Sequence, residues 1–167
     1  MFGIFKKLDL LNQLEILEKK LQPADIQGKN HCCRSGFCCW RRPGCIAEDE
    51  VPKIAALLGI TPRELFQTYL VVDSLEEGTL SLLPSREHQS LFTGEMLSSD
   101  EAFSVDTPCV FLDQANNNAC KIQDVKPKEC ADFKCWEKES FKDHIVTVSR
   151  EFLIGLGWDG KNVYDAN

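Results

Sequence analysis

The sequence predicts an α+β fold in one small domain, with an amphipathic N-terminal helix, a helical hairpin, short β-hairpins and cysteine-rich loops. Three observations lead there. Apolar residues recur at helical spacing over residues 3–21, a full helix-start signature stands at Thr61–Glu64, and apolar runs of strand character alternate with turn residues further on. With 167 residues, 43% hydrophobic and 27% charged, the chain is long enough to bury a core of its own as a single domain.

Taken in order, the first element places Phe5, Leu8, Leu11, Leu14, Leu17 and Leu21 on one helix face, and Pro23 ends it. Lys6, Lys7, Asp9, Glu15 and Glu18 interrupt its apolar runs, so it reads as neither a signal peptide nor a membrane span. GKNHCCRSGFCCWRRPG is turn-rich and predicts an irregular loop that presents side chains. AEDEVPKIAALLG predicts a short helix with acids in its first turn and Gly59 just past its end. A second helix, PRELFQTYLV, follows at once. Thr61 is its N-cap, Pro62 fits the first turn and Glu64 completes a capping box, with Leu65, Phe66 and Tyr69 on the buried face. LEEGTLSLLP reads as strand, and TPCVFLDQANNNACKI as a hairpin turning at Asn116, Asn117 and Asn118. KPKECADFKCWEKESF reads as a loop opening into a short helix. SREFLIGLGW predicts a last helix weakened at its end by Gly155 and Gly157, and acidic GLGWDGKNVYDAN a frayed tail, with pinning through Trp158 and Tyr164 as the alternative. Residues 1–23 are thus the N-terminal helix, 24–140 a cysteine-rich domain, and 141–167 a C-terminal helix and tail packed on it.

Nine cysteines dominate the chemistry. Cys32, Cys33, Cys38, Cys39 and Cys45 form one cluster and Cys109, Cys120, Cys130 and Cys135 another, with no thiol over residues 46–108. Without a secretory leader the chain is expected in the cytoplasm, where thiols stay reduced and clustered cysteines bind metal or do redox chemistry. An odd number also leaves one thiol over in any all-disulfide scheme. A net charge of −7 argues against a nucleic-acid footprint, and Arg34, Arg41 and Arg42 make only the first cluster locally basic. No Cys-x-x-Cys redox motif, no H-E-x-x-H and no phosphate-binding glycine pattern is present. His31 abuts Cys32 but reads as a solvent-facing loop residue, as do His88 and His144. Trp40 and Trp136 each follow a cysteine and read as packing residues.

A structural zinc site takes four ligands, commonly two from each of two chain segments, and an iron–sulfur cluster is held by four cysteine thiolates. The two clusters supply either set. Adjacent Cys38 and Cys39 are expected to diverge as neighbours on an extended segment do, and so to serve two metals, or one metal and a buried partner. Cys109, within the apolar CVFL, has the alternative reading of a small buried hydrophobe.

These residues carry a resemblance. Cys32-x-x-Ser35-Gly36-x-Cys38-Cys39 is similar to the signature of the CxxCxxCC family of zinc- or iron-chelating domains. The helical stretch KIAALLGITPRELFQTYL, the strand opened by Cys109 and the closing CKIQDVKPKECADFKC follow that family's order, over roughly residues 30–137. Ser35 stands where the family has cysteine, with Cys33 an extra thiol nearby. The family's Tyr-x-x-Arg-Pro is here Gln123-Asp124-Val125-Lys126-Pro127, which loses the phenol and keeps the proline and a positive charge. The resemblance implies a metal site with Cys38, Cys39, Cys109, Cys120 and Cys130 at its centre, completed by Cys32 or Cys33 and Cys135, with Cys45 outside it.

The expected function is therefore binding of zinc or iron by thiolates from both clusters, with an iron–sulfur cluster as one form of the iron. The alternative is an iron–sulfur or zinc enzyme, since flagellin lysine methylases carry a similar cysteine motif; no residue is marked as catalytic. The expected partner is the metal ion, with no nucleic acid and no membrane. The N-terminal helix is a candidate surface for a protein partner.

Overall fold

The computed structural model describes residues 32, 34–41, 43–76, 78–86, 94–102, 107–133 and 146–161. The expected N-terminal helix, and with it the candidate partner surface, lies outside the described residues, as do His31, Cys33, His88, Cys135, Trp136, His144 and Tyr164. Within them the fold is the mixed helix and strand that the sequence predicts. Among the described residues no helix is long and apolar enough to cross a membrane.

The helical hairpin comprises α2 (Val51–Leu58) and α3 (Pro62–Tyr69), after a first short helix α1 (Phe37–Arg41). Gly59 adopts the left-handed conformation at φ 70° that lets α2 stop, and the Ile60 amide donates back to the Ala55 carbonyl at 3.1 Å. The capping box forms as expected. Thr61 Oγ1 accepts from the Glu64 amide at 3.1 Å, while the Thr61 amide donates to Glu64 Oε2 at 2.8 Å and holds that carboxyl below its usual range. Glu48, Asp49 and Glu50 precede α2 instead of filling its first turn. Glu50 is thereby free to reach elsewhere, with a consequence for the site.

The predicted helix over residues 62–71 stops two residues early. Leu70 and Val71 open β1 (Leu70–Glu76), which pairs antiparallel with β2 (Thr79–Pro84) through Val71↔Leu83 and Val72↔Leu82. β-branched side chains gain more from a two-sided sheet than from extending an exposed helix. LEEGTLSLLP is strand as expected, and it also contains the turn of this hairpin, with Gly78 at φ 83°. A third strand, β3 (Met96–Ser98), lies parallel to β1 and runs into α4 (Ser99–Ala102). Three residues are too few to carry a readable period, so the sequence did not announce it.

Both faces of this sheet are covered. Leu70, Val72 and Leu82 face the main core with Ile54, Leu65 and Phe66, while Val71 and Leu83 pack with Cys45 and Ala102 on the other side. Double coverage buries residues on both faces of the strands, polar Asp73, Ser74 and Ser81 among them. The last helix, α6 (Arg150–Leu156), starts at Ser149, whose hydroxyl accepts from the Phe152 amide, and ends at Gly157 with φ 101°. Trp158 is buried in the main core beneath Arg150, so at this residue the expected frayed tail is instead pinned, the burial of a large aromatic ring outweighing the freedom of the chain end.

Candidate metal centre

The first cysteine segment is helical where a loop was expected. Arg34 (φ 55°) and Gly36 (φ 75°) turn the chain, the Ser35 hydroxyl accepts from the Phe37 amide at 3.2 Å, and the Trp40 amide donates to the Gly36 carbonyl at 3.0 Å. Ser35, at the position of a family cysteine, thus supports the turn into α1. This geometry corrects the expectation that Cys38 and Cys39 diverge: their sulfurs lie 3.9 Å apart. Helical neighbours differ by about 100° and not by 180°, and rotation about the Cα–Cβ bonds closes the remainder. Four sulfurs at about 2.3 Å from one ion stand about 3.8 Å from each other, so the pair suits one centre and not two separate ones. Among the described residues, Cys32, Cys38, Cys39, Cys45, Cys109, Cys120 and Cys130 form no disulfide.

The second segment is brought to the first by backbone pairing. The Cys109 amide donates to the Cys39 carbonyl at 2.7 Å. From there the chain enters the predicted hairpin, β4 (Leu112–Asp113) and β5 (Ala119–Cys120), with Asn117 and Asn118 in left-handed conformations at φ 51° and 53°. Asparagine tolerates that region better than other side chains, and the turn returns Cys120 opposite Leu112, close to where Cys109 began it. Cys130 sits on α5 (Lys128–Asp132). There the two clusters touch again: the Gly44 amide donates to Cys130 Sγ at 3.2 Å, and the Cys45 amide to Glu129 Oε2 at 2.5 Å. Glu50 joins the same edge, accepting from the Ala47 amide at 2.8 Å and the Lys128 amide at 2.6 Å.

Cys38, Cys109, Cys120 and Cys130 form a mutually interacting set, in which the charge of one thiolate opposes ionisation of the others. Cys39 interacts with Cys38, Cys109 and Cys130, and half-buried Cys32 with Cys120. Burial pushes the Cys109 thiol up to about 12, raises Cys120 and lifts Cys130 well above the ordinary thiol value. The hydrogen bond with Cys38, and then burial, raises Cys39. Backbone amides act in the opposite direction. Those of Phe111, Ile122 and Gly44 favour the thiolates of Cys109, Cys120 and Cys130. Several buried thiolates side by side need a cation among them, and amides directed at sulfur are what such ligands accept. Among the described residues no three such side chains already stand at metal-holding distances, so closing on an ion requires thiol rotation or ligands from the undescribed segments. The donor chemistry itself, soft thiols around one buried region, fits zinc or iron.

Cys45 is apart from this set, 3% exposed in the apolar cluster behind the sheet. No local pattern marks Gly44, Glu50, Glu129 or Arg86, since each acts through a partner distant in the chain. Arg86 is fully buried against both cysteine segments, although it follows an unremarkable strand.

Fold and thiols together define a cysteine-rich domain with the donors of a zinc or iron site. The chain belongs to the CxxCxxCC family, described as a putative zinc- or iron-chelating domain, whose model matches residues 30–147. No curated protein and no solved structure matches the chain.

Proposed function

We propose that this protein is a metal-binding module in which Cys38, Cys39, Cys109, Cys120 and Cys130 provide the central thiolates for zinc or iron. Cys32 or Cys33 and Cys135 complete the set. The observation that carries the reading is the convergence of the two cysteine segments: the Cys38 and Cys39 sulfurs stand 3.9 Å apart, the Cys109 amide bonds the Cys39 carbonyl at 2.7 Å and the Gly44 amide bonds Cys130 Sγ at 3.2 Å. A bound ion would supply positive charge that lets these thiols ionise together and would clip α1 to the hairpin and to α5. Amides of Gly44, Phe111 and Ile122 would hold the sulfurs in place.

Elemental analysis of full-length protein purified anaerobically under reducing conditions tests this. Stoichiometric zinc in colourless protein supports a thiolate zinc site. Stoichiometric iron with a brown colour and absorbance at about 400 nm supports the iron–sulfur form of the same site. Protein that carries neither metal, and takes up neither when reduced, contradicts the proposal.

A further inference from the structure

Arg86 belongs to neither cysteine cluster, yet its guanidinium is where they meet. It is 1% exposed. Nη1 donates to the Trp40 carbonyl at 2.8 Å, to Thr107 at 3.0 Å and to Cys39 at 3.3 Å. Nη2 donates to the Arg41 carbonyl at 3.2 Å, and Nε to Ala102 at 3.4 Å. The carbonyls of Cys39, Trp40 and Arg41 are the last of α1, and a helix of five residues has no internal partners for its final carbonyls. Thr107 lies two residues before Cys109, and Arg86 itself pairs with Cys109 in an antiparallel bridge, beside a 2.9 Å bond from the Val110 amide to the Ser85 carbonyl. Burying this cation is unfavourable, and thiolates at Cys109 and Cys39 would act against that penalty.

We infer that Arg86 is a positioning residue for the thiolate site, its fork fixing α1, with Cys38 and Cys39, against the segment that carries Cys109. The inference rests on the metal-site reading above. A planar guanidinium can hold several carbonyls at fixed relative angles, whereas an ammonium offers one point of attachment on a flexible stem. A buried arginine that merely stabilised the fold would leave the sulfur geometry of a folded variant unchanged.

Co(II) titration of the reduced, metal-free full chain separates the two roles, since Co(II) reports both affinity and the number of sulfur ligands through its sulfur-to-metal charge-transfer band. Arg86→Lys and Arg86→Gln, verified as folded by near-UV circular dichroism and a cooperative melt, are expected to bind Co(II) about 10–100-fold more weakly, the range typical for losing a group that orients a ligand. Their charge-transfer band per bound ion should also be weaker. Wild-type affinity and band intensity in either folded variant overturns the inference. So does failure of both variants to fold, which makes Arg86 a stability residue. If the wild-type chain itself gives no thiolate band with Co(II), the metal-site reading fails instead.

Discussion

Serine in place of Cys38, Cys109, Cys120 or Cys130, one at a time, is expected to weaken zinc or Co(II) binding by at least about 100-fold. That exceeds the 10–100-fold that loss of an outer hydrogen-bond partner brings, because a soft anionic ligand is removed outright. Each of the four interacts with the other three, so no single one is peripheral. Cys45→Ala is the contrasting variant. Its side chain packs against Val71 and Leu83, so removing the sulfur costs about 1 kcal/mol of stability and leaves metal stoichiometry unchanged. Metal counting on the purified variants decides it. Loss of metal from Cys45→Ala, with Cys120→Ser and Cys130→Ser still loaded, would reverse the assignment.

Gly44→Ala should damage fold and site together. A Cβ at this position would stand 2.7 Å from Cys130 Sγ and 2.9 Å from the Cys130 amide nitrogen, closer than real side chains approach. Either the 43–45 segment or α5 must move, which breaks the Gly44 amide bond to Cys130. Overpacking of this kind costs about 1–3 kcal/mol, and the displaced thiolate should lower Co(II) affinity by about tenfold or more. Gly155→Ala is the matched control. Nothing lies within 4 Å of its Cβ in α6, so it should add about 0.5–1 kcal/mol of stability and leave Co(II) binding unchanged. Equal Co(II) affinities in wild type and Gly44→Ala would show that the close approach of Gly44 to Cys130 is unimportant for the site.

Where local signals were complete, the sequence was readable. Thr61, Pro62 and Glu64 specify the start of α3 with interactions spanning three residues, and the hairpin turn at Asn116–Asn118 rests on the conformational preference of asparagine itself. Segments decided by distant partners were not readable. Leu70 and Val71 continue a helix by spacing but become strand because Pro84 and Leu83 of β2 lie beside them. α1 has glycine and turn residues before it and becomes helical with Ser35 supporting its turn and Arg86 bonding its last carbonyls. The same holds for the site. Cysteine type and clustering marked the thiols, whereas the convergence of Cys38 and Cys39 depends on the helix that was missed. Gly44, Glu129 and Arg86 act on groups 86, 84 and 47 residues away respectively, a relationship no local pattern records.

A metal centre that joins the two cysteine segments, as proposed, must show in thermal melting before and after chelation under reducing conditions. The sheet, its helices and the hydrogen bonds between the segments should keep the metal-free chain folded, because most of the core is aliphatic and aromatic, although Cys109 is part of it and Cys39 and Cys120 pack against it. Binding at free metal a thousandfold above Kd stabilises the folded state by about 4 kcal/mol, which for a chain of this size corresponds to a shift in Tm of roughly 8–16 °C. A fall of that order is expected on chelation, with one cooperative transition, reversed by adding zinc or iron back. An unchanged Tm in protein shown to have lost its metal would contradict it.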